Sequence, residues 1–414
     1  MKVLWTVEPA NIDALLSSKS VDYFRSPRLL KAGTPFLGPG LGTTSDHVWA
    51  RHRQTVKPIL DRHHQKDIAF YDKHLDRFFN ALGIDGEWTQ LQDLNDLLGF
   101  FTMDTSTEYF FGANTNSFVS KKIRQDVSIW TMLWHLVTNR TTHRWSKPLD
   151  GEALLAEFGH AFDETMKYVQ GRYLMGKMYW LVDSWKFRVS CWKVNAAIDY
   201  FVDRAARKIV TGVADQSSDT KRYGLLEEIL KGNSGNLIDV RDQVMHILIA
   251  GRDTTQSALS WAFALLGNNP SVFLRLRNEV LEHFGPEDDP KEEITFSTLR
   301  SCKYLQYTIK EVLRLYSSVQ QPRETRVDTV LPVGGGADGT NPLAIPAGTT
   351  IMAPQYVLHR RTDHWGSDSG EFRPERWETK KLKAREYLPF SAGAHSCLGR
   401  KFHLLVLRHF DFHI

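Results

Sequence analysis

Apolar side chains recur every three or four residues along much of the chain, which is the spacing of one helical face. Over Asn236–Leu266 this pattern continues for about thirty residues and stops at a Gly-Asn-Asn-Pro turn. Asn195–Val210 and Ser297–Ser317 show the same periodicity. Because a helix rises about 1.5 Å per residue, the longest one would measure roughly 45 Å. The pattern therefore predicts a mainly helical chain that contains one long helix.

A small β component is predicted towards the end of the chain. Within Asn341–Pro354, the residues Ile345–Ile351 have the pattern of strand, turn and strand. There is no internal repeat, and the turn-rich breaks have the composition of surface connections rather than of domain boundaries. We therefore expect a mainly α fold with a small β component, in one domain that covers residues 1–414.

Composition agrees with a globular domain, since 42% of the 414 residues are hydrophobic and 24% are charged. The formal net charge of +4 is small and does not indicate nucleic-acid binding. Three scattered cysteines are too few for a disulfide framework or a zinc site, which fits a reducing compartment. We find neither a signal peptide nor an apolar run of about 18 residues, so a soluble chain is expected.

The apolar and aromatic stretch Tyr173–Trp185 permits two interpretations. It could line an access route or touch a membrane. We favour the other interpretation, in which these side chains belong to the core.

The segment Phe390–Gly399 carries a cysteine in a setting that suits a metal-bound thiolate. Such a thiolate must be shielded from water and must accept hydrogen bonds that temper its charge. Gly393 and Gly399 would let the backbone come close to a flat cofactor, and Phe390 would cover the sulfur. A helix that starts after Cys397 would also favour the thiolate through its dipole. The alternative is that Cys397 is a small buried hydrophobic residue.

The middle of the long helix carries an acid and an alcohol side by side, Asp253 and Thr254. Gly251 costs a helix about 1 kcal/mol relative to alanine, which suggests that a cofactor or O₂ approaches the backbone there. Thr254 could bond the helix carbonyl four residues back, and Asp253 could pass protons inward. The alternative is a solvated or salt-bridged Asp253 beside a Thr254 that merely packs.

Together these segments resemble the cytochromes P450. The cysteine loop matches the family signature of Phe, two residues, Gly, one residue, a basic residue, one residue, Cys, one residue and Gly, with His395 where Arg is usual. The resemblance covers about Pro27 to Gly399 and is closest to the fungal alkane- and fatty-acid-hydroxylating branch. It implies a cytochrome P450 fold and a haem-thiolate iron whose ligand is Cys397.

The resemblance also implies roles for individual residues. Asp253 and Thr254 would be the catalytic proton-delivery pair. Glu311 and Arg314, three apart on one helical face, would join Arg376 in a buried structural ionic cluster; alone, that spacing is uninformative. The residues expected to bind haem, including its propionates, are Trp49, Arg53, Ala250, Gly251, Arg323, Phe390, Gly393, His395 and Gly399.

The implied reaction is the insertion of one oxygen atom from O₂ into a C–H bond of an apolar substrate, with a long-chain alkane or fatty acid as the favoured class. Electrons would come from NADPH through a partner reductase, with Arg400 and Lys401 near the docking face. Membership of this branch implies the cytosolic face of the endoplasmic reticulum membrane.

Relative to the family, we expect the membrane anchor, the first helix and strands and the terminal β hairpin to be missing, which would leave this chain soluble or peripheral. Two alternatives stay open at this point. One is an isomerase that rearranges fatty hydroperoxides on the same scaffold, and the other is a truncated remnant without activity.

Overall fold

The structure is a computed structural model that describes residues 2–63, 69–85, 88–89, 91–118, 151–211, 225–232, 236–286, 289–318 and 322–413. Most of these residues are helical, which confirms the predicted mainly α fold with a small β component. The α-helices are α1 (Pro9–Asp13), α2 (Pro27–Gly33), α3 (Asp46–His63), α4 (Ala69–Leu82), α5 (Leu94–Phe111), α6 (Gly151–Met175), α7 (Trp185–Thr211), α8 (Leu225–Gly232), α9 (Leu237–Asn268), α10 (Pro270–Phe284), α11 (Phe296–Ser301), α12 (Lys303–Leu315), α13 (Gln355–Leu358), α14 (Thr362–Trp365), α15 (Arg376–Thr379) and α16 (Arg400–His413). The strands are β1 (Val3–Trp5), β2 (Tyr23–Phe24), β3 (Ile84–Asp85), β4 (Trp88–Thr89), β5 (Arg323–Thr325), β6 (Thr329–Gly335), β7 (Asn341–Ile345) and β8 (Thr350–Met352).

The chain forms two compact units. The first unit comprises Met1–Arg25, Asp67–Asp72 and Thr254–Ile414, and the second comprises Ser26–Lys66 and Lys73–Asp253. The division falls inside helix α9, between Asp253 and Thr254.

The first unit contains a four-stranded sheet in the order β1-β8-β5-β2. Strand β1 runs parallel to β8, whereas β5 is antiparallel to both β8 and β2. Strands β6 and β7 form a separate antiparallel pair. The apolar side chains buried between these strands and the segment after α1 are Leu15, Tyr23, Leu331, Ile345 and Ile351.

The predicted strands around Ile345–Ile351 are both present, as the end of β7 and the start of β8. They do not pair with each other, because β7 pairs with β6 while β8 pairs with β1 and β5. Strand β1 was not predicted. Its partner in the sheet lies almost 350 residues away along the chain, and short-range periodicity carries no information about such a pairing.

The long helix was predicted well, since α9 extends from Leu237 to Asn268 and Pro270 opens the next helix. Asn195–Val210 likewise lies within α7. The helical periodicity over Ser297–Ser317 corresponds to two helices, because Cys302 is extended, with φ −65° and ψ 99°, and separates α11 from α12.

Two long helices, α6 and α7, pack along each other in the second unit. Their contact is filled by aromatic rings: the centroids of Phe158 and Phe201 lie 6.4 Å apart, and Phe111 of α5 lies 5.1 Å from Phe201. Phenylalanine rings therefore fill this contact, beside the many aliphatic side chains in the core of the unit.

The connection between α6 and α7 corrects the interpretation of Tyr173–Trp185 as core. Its apolar side chains are exposed, with Leu174 at 88% and Trp180 at 62% of their full accessibility. The backbone forms a 3₁₀ turn, Gly176–Leu181, whose end is fixed by the buried Arg172 donating a hydrogen bond to the Val182 carbonyl at 2.9 Å. A short connection between two long helices runs over the surface, whatever its composition. None of the helices in the described ranges is long and apolar enough to cross a bilayer.

Candidate functional site

The cysteine loop is closed by its own backbone. The amide of Cys397 donates to the carbonyl of Phe390 at 2.9 Å, and the amide of Ser396 donates to the carbonyl of Gly393 at 3.1 Å. Gly393 has φ 64°, and a Cβ on it would lie 2.0 Å from the carbonyl oxygen of Leu16. Only glycine fits there, so the requirement deduced from the motif has a local steric cause.

Cys397 differs from the other two cysteines in its surroundings. It is exposed, whereas Cys191 and Cys302 are buried and burial raises the pKa of both thiols. Two residues after it comes Gly399, on which a Cβ would stand 4.0 Å from the Cys397 sulfur, and helix α16 starts at Arg400. An accessible thiol just before a helix start is in the setting that favours a thiolate ligand.

The ring of Phe390 packs edge-on against His403 of α16, with centroids 5.5 Å apart, and the Arg400 guanidinium lies 5.7 Å from the same ring. His403 also bonds Thr255 of α9, with 3.1 Å between Nδ1 and Oγ1. Burial lowers the pKa of His403 to about 4, so the imidazole is neutral at pH 7. The sequence analysis did not predict this contact between His403 and Thr255. Its one sign in the sequence is a histidine within the apolar repeat of α16.

His395 lies in the 3₁₀ turn Gly393–His395 and is half-buried. It is therefore part of the loop that ends at Cys397, in the place where the family signature has a basic residue. Its expected contact with a haem propionate stays a prediction.

A buried ionic cluster surrounds Glu311 of α12. Arg314 donates to both carboxylate oxygens, at 2.9 and 2.8 Å, and Nε of Arg376 donates at 2.7 Å. Trp377 and the backbone of Arg373 donate as well, at 2.9 and 3.1 Å. Nη1 of Arg314 also donates a hydrogen bond to the carbonyl oxygen of His359 at 2.7 Å. The three residues singled out from their order in the sequence meet in one network with almost no exposure to water.

Asp253 and Thr254 occupy adjacent positions on α9. Oδ1 of Asp253 lies 2.9 Å from Nη1 of Arg252, and burial raises the pKa of the carboxyl group. The carbonyl of Thr254 accepts a hydrogen bond from the Ser318 hydroxyl at 3.5 Å. Asp253 is therefore a salt-bridged, partly buried acid, as one of the sequence interpretations had it.

Gly251, one turn before Thr255 and next to Ala250, has a packing reason that the sequence did not reveal. A Cβ on Gly251 would lie 2.7 Å from the ring of Phe110, on helix α5. The glycine thus lets an aromatic ring reach the helix backbone. Whether Ala250 and Gly251 also face haem stays a prediction.

Arg323, on strand β5, is a buried cation. It is 4% exposed, Nη1 donates a hydrogen bond to the carbonyl of Pro322 at 3.2 Å, and burial lowers its pKa to about 10. Among the residues that the structure describes, no carboxylate forms an ion pair with it. A buried guanidinium is costly unless an anion compensates it, so this site suits the carboxylate of a ligand.

Trp49 and Arg53 share one face of α3, as their spacing predicted. The guanidinium of Arg53 lies 5.5 Å from the Trp49 ring, and both side chains are half-buried. These two residues, with Ala250, Gly251 and Asp253, belong to the second unit, whereas the cysteine loop, Arg323, Thr254 and the ionic cluster belong to the first.

Comparison with known proteins agrees with this geometry. The family model described as cytochrome P450 matches residues 8–410. The chain belongs to the cytochrome P450 family. It is 34% identical to cytochrome P450 monooxygenase g430 of a Fusarium species, over 97% of this chain and 67% of that protein. It is 33% identical to cytochrome P450 52A5 of Candida maltosa, over 98% of this chain and 72% of the relative. It is 32% identical to cytochrome P450 52-M1 of Starmerella bombicola, over 98% of this chain and 73% of that protein.

Membership confirms three predictions: the cytochrome P450 fold, the monooxygenase class and the resemblance to fungal members. Haem-thiolate iron is the cofactor of this family. The donor set fits it, because Cys397 carries an accessible thiol and a porphyrin supplies the other ligands that a single thiolate needs. The uncompensated cation Arg323 fits a propionate in the same way.

Proposed function

We propose that this cytochrome P450 uses haem b, bound through Cys397, to hydroxylate a long apolar substrate, either an alkane or a fatty acid. The observation that supports this most directly is the position of Cys397, in a loop that Gly393 fixes just before helix α16. Long aliphatic substrates are the class that the resemblance to the fungal branch favours.

Each part of the chain would contribute one task. When bound, thiolate-ligated haem supplies the binding and reductive activation of O₂. Phe390 would keep water from the Cys397 sulfur, and backbone amides of the loop would temper its charge. Arg323, Arg53, Trp49 and His395 would hold the propionates, since guanidinium groups match carboxylates in shape and charge.

Asp253 and Thr254 would handle protons. A carboxyl group whose pKa is raised by burial holds a proton nearer neutral pH than an exposed aspartate, and can therefore deliver one. The Thr254 hydroxyl would pass it on to the oxygen-binding side. Replacement of Thr254 by alanine should then raise the consumption of NADPH per product formed.

Electrons would come from NADPH through a reductase. Arg400 and Lys401 are both exposed at the start of α16, close in sequence to Cys397, and offer positive charge to an acidic partner surface. We place the protein at the cytosolic face of the endoplasmic reticulum on the strength of its branch.

The ferrous–CO absorption spectrum tests the proposal first. The wild-type protein, produced with haem precursor, should give a thiolate-type Soret band, and Cys397→Ser should abolish it. Cys302→Ser is the matched control, because Cys302 is buried and should leave the band in place. A histidine-type band, or no haem in the wild type, would refute the assignment.

A turnover assay distinguishes NADPH-dependent hydroxylation from the isomerisation of a fatty hydroperoxide. Wild-type protein with reductase, O₂ and a panel of alkanes and fatty acids should form hydroxylated product only when NADPH is present. Conversion of a fatty hydroperoxide without NADPH or O₂ would instead support an isomerase.

A further inference from the structure

A chain of three charged groups runs across the second unit from helix α9 to helix α6. Nη1 of Arg252 lies 2.9 Å from Oδ1 of Asp253, and Nη2 of the same guanidinium lies 2.6 Å from Oδ1 of Asp163. Arg252 therefore bridges two carboxylates. One of them is the proposed proton donor, and the other has no role in any motif of the sequence.

The guanidinium is held in place more firmly than a surface arginine. Its side chain is 6% exposed, and its central carbon lies 5.2 Å from the ring of Phe162, the residue next to Asp163. Asp163, by contrast, has a side chain that is 37% exposed. Helix α6 thus contacts Arg252 through the ring of Phe162 and the carboxylate of Asp163. The Asp163 end of these contacts is open to solvent.

The two carboxylates compete for one cation. The positive charge of Arg252 stabilises the Asp253 anion and lowers its pKa, whereas the negative charge of Asp163 opposes ionisation and raises it. Among the described residues, Arg252 and Asp163 are the charged groups that act on Asp253. The side chains of α5 that face Gly251, two residues before Asp253, are the uncharged Phe110 and Ser106.

We propose that Asp163 is a positioning residue for proton delivery, which acts through Arg252 to set how tightly Asp253 holds its proton. This rests on the proposed function, in which Asp253 donates protons during O₂ activation. Asp163 draws part of the guanidinium's charge away from Asp253, so the donor stays protonated to higher pH than it would beside an unshared arginine.

The proposal predicts opposite shifts for two substitutions. In Asp163→Asn, Arg252 serves Asp253 alone and the opposing negative charge is gone, so the Asp253 titration midpoint should fall by about one pH unit. In Arg252→Gln, Asp253 loses its cation but stays partly buried, so the midpoint should rise by about one unit or more. Asp163→Glu keeps the charge and should restore most of the wild-type midpoint.

The measurement is an infrared titration of the Asp253 carboxyl band in the haem-loaded protein, with the band assigned by its loss in Asp253→Asn. Product formed per NADPH is recorded for the same variants and should fall several-fold in Asp163→Asn. Glu164→Gln is the matched control. Glu164 is the next residue of helix α6, and its Oε1 lies 2.8 Å from Nζ of Lys186. Its replacement should change neither the Asp253 midpoint nor the product formed per NADPH.

An Asp253 midpoint that does not move in Asp163→Asn, or that moves equally in Glu164→Gln, would overturn the proposal. The infrared titration needs no turnover, so its result is independent of the proposed reaction. A shifted midpoint with an unchanged yield per NADPH would uphold the action of Asp163 on Asp253 and refute the part of Asp253 in the proposed function.

Discussion

Glu311 is the residue on which the ionic cluster depends. Its carboxylate accepts from Arg314, Arg376 and Trp377 at 2.7–2.9 Å while none of its side chain is exposed to water. Burial of these charges is costly in itself, and the cost is offset only while every partner is present. Removing the one acid therefore takes from Arg314 the carboxylate that it bonds twice, and leaves Arg376 with its longer ion pair to Asp368, at 3.2 Å.

We accordingly expect Glu311→Gln to lower the free energy of unfolding by about 3–5 kcal/mol. Urea unfolding followed by circular dichroism measures it. Glu279→Gln is the matched control, because the Glu279 side chain is 35% exposed and its pair with Arg275 is 3.2 Å long. A surface pair contributes at most about 1 kcal/mol. Equal losses in the two variants would show that the Glu311 network does not stabilise the fold.

His359 makes the fold sensitive to acid. Its Nδ1 donates to the carbonyl of Arg314 at 3.1 Å and its Nε2 accepts from the amide of Leu388 at 2.9 Å, so both nitrogens are used by the neutral ring. Burial lowers the pKa of His359 to about 3. In the unfolded chain a histidine takes up a proton near pH 6.5.

Between pH 6.5 and 3 the unfolded state therefore binds a proton at this position that the folded state does not, so stability is lost as the pH falls. From pH 7 to 5 this one group should cost about 2 kcal/mol. Urea unfolding at several pH values should show a shallower decline for His359→Gln than for the wild type. His283→Gln, at an exposed pair with Glu292, should keep the wild-type slope.

At the scale of single elements, the cysteine loop depends on one glycine. An alanine at Gly393 would have to adopt φ 64°, which costs about 1–2 kcal/mol, and its Cβ would overlap the carbonyl of Leu16. We expect Gly393→Ala to lower the haem content per chain several-fold and to lower the melting temperature. Gly370→Ala is the control, because a Cβ there has no heavy atom within 4 Å. Normal haem content in Gly393→Ala would contradict the steric argument.

Sequence periodicity predicted helices better than it predicted their ends or partners. It found α9 nearly in full, since the alternation of apolar residues persists over the whole helix. It did not predict the break between α11 and α12, because the extended residue Cys302 is itself apolar and leaves the pattern of apolar positions unbroken. It predicted β8 but not β1 or the pairing of the two, as strands this short pair through tertiary contacts rather than through their own pattern.

For the whole molecule, the order of the motifs indicated the family, but it did not reveal the side-chain contacts between helices. The cluster of Glu311, Arg314 and Arg376 was recoverable because the order of its motifs is distinctive, while the binding of iron by Cys397 stays a prediction. The bonds of Arg252 to Asp163 and of His403 to Thr255 were not, because each joins residues on different helices through side chains whose types are common on any helix. Such contacts follow from packing, which a single sequence does not encode locally.

The connection between α6 and α7 is the clearest case of composition misleading about burial, and it yields a prediction for the whole molecule. Trp180 and Leu181 are 62% and 49% exposed although both are strongly apolar. Exposed apolar patches promote association. Changing both residues to Gln should therefore reduce self-association in detergent-free buffer, measured by light scattering, while the free energy of unfolding changes by less than about 1 kcal/mol.

Phe187→Ala supplies the contrast, since Phe187 starts the next helix and is fully buried in the second unit. Truncation of a buried phenylalanine costs about 3–5 kcal/mol. If the Trp180 and Leu181 substitutions destabilised the protein as much as Phe187→Ala does, these side chains would have to be packed in solution, as the sequence alone had suggested. Unchanged stability with weaker association would mean that these side chains lie at the surface in solution and contribute to self-association.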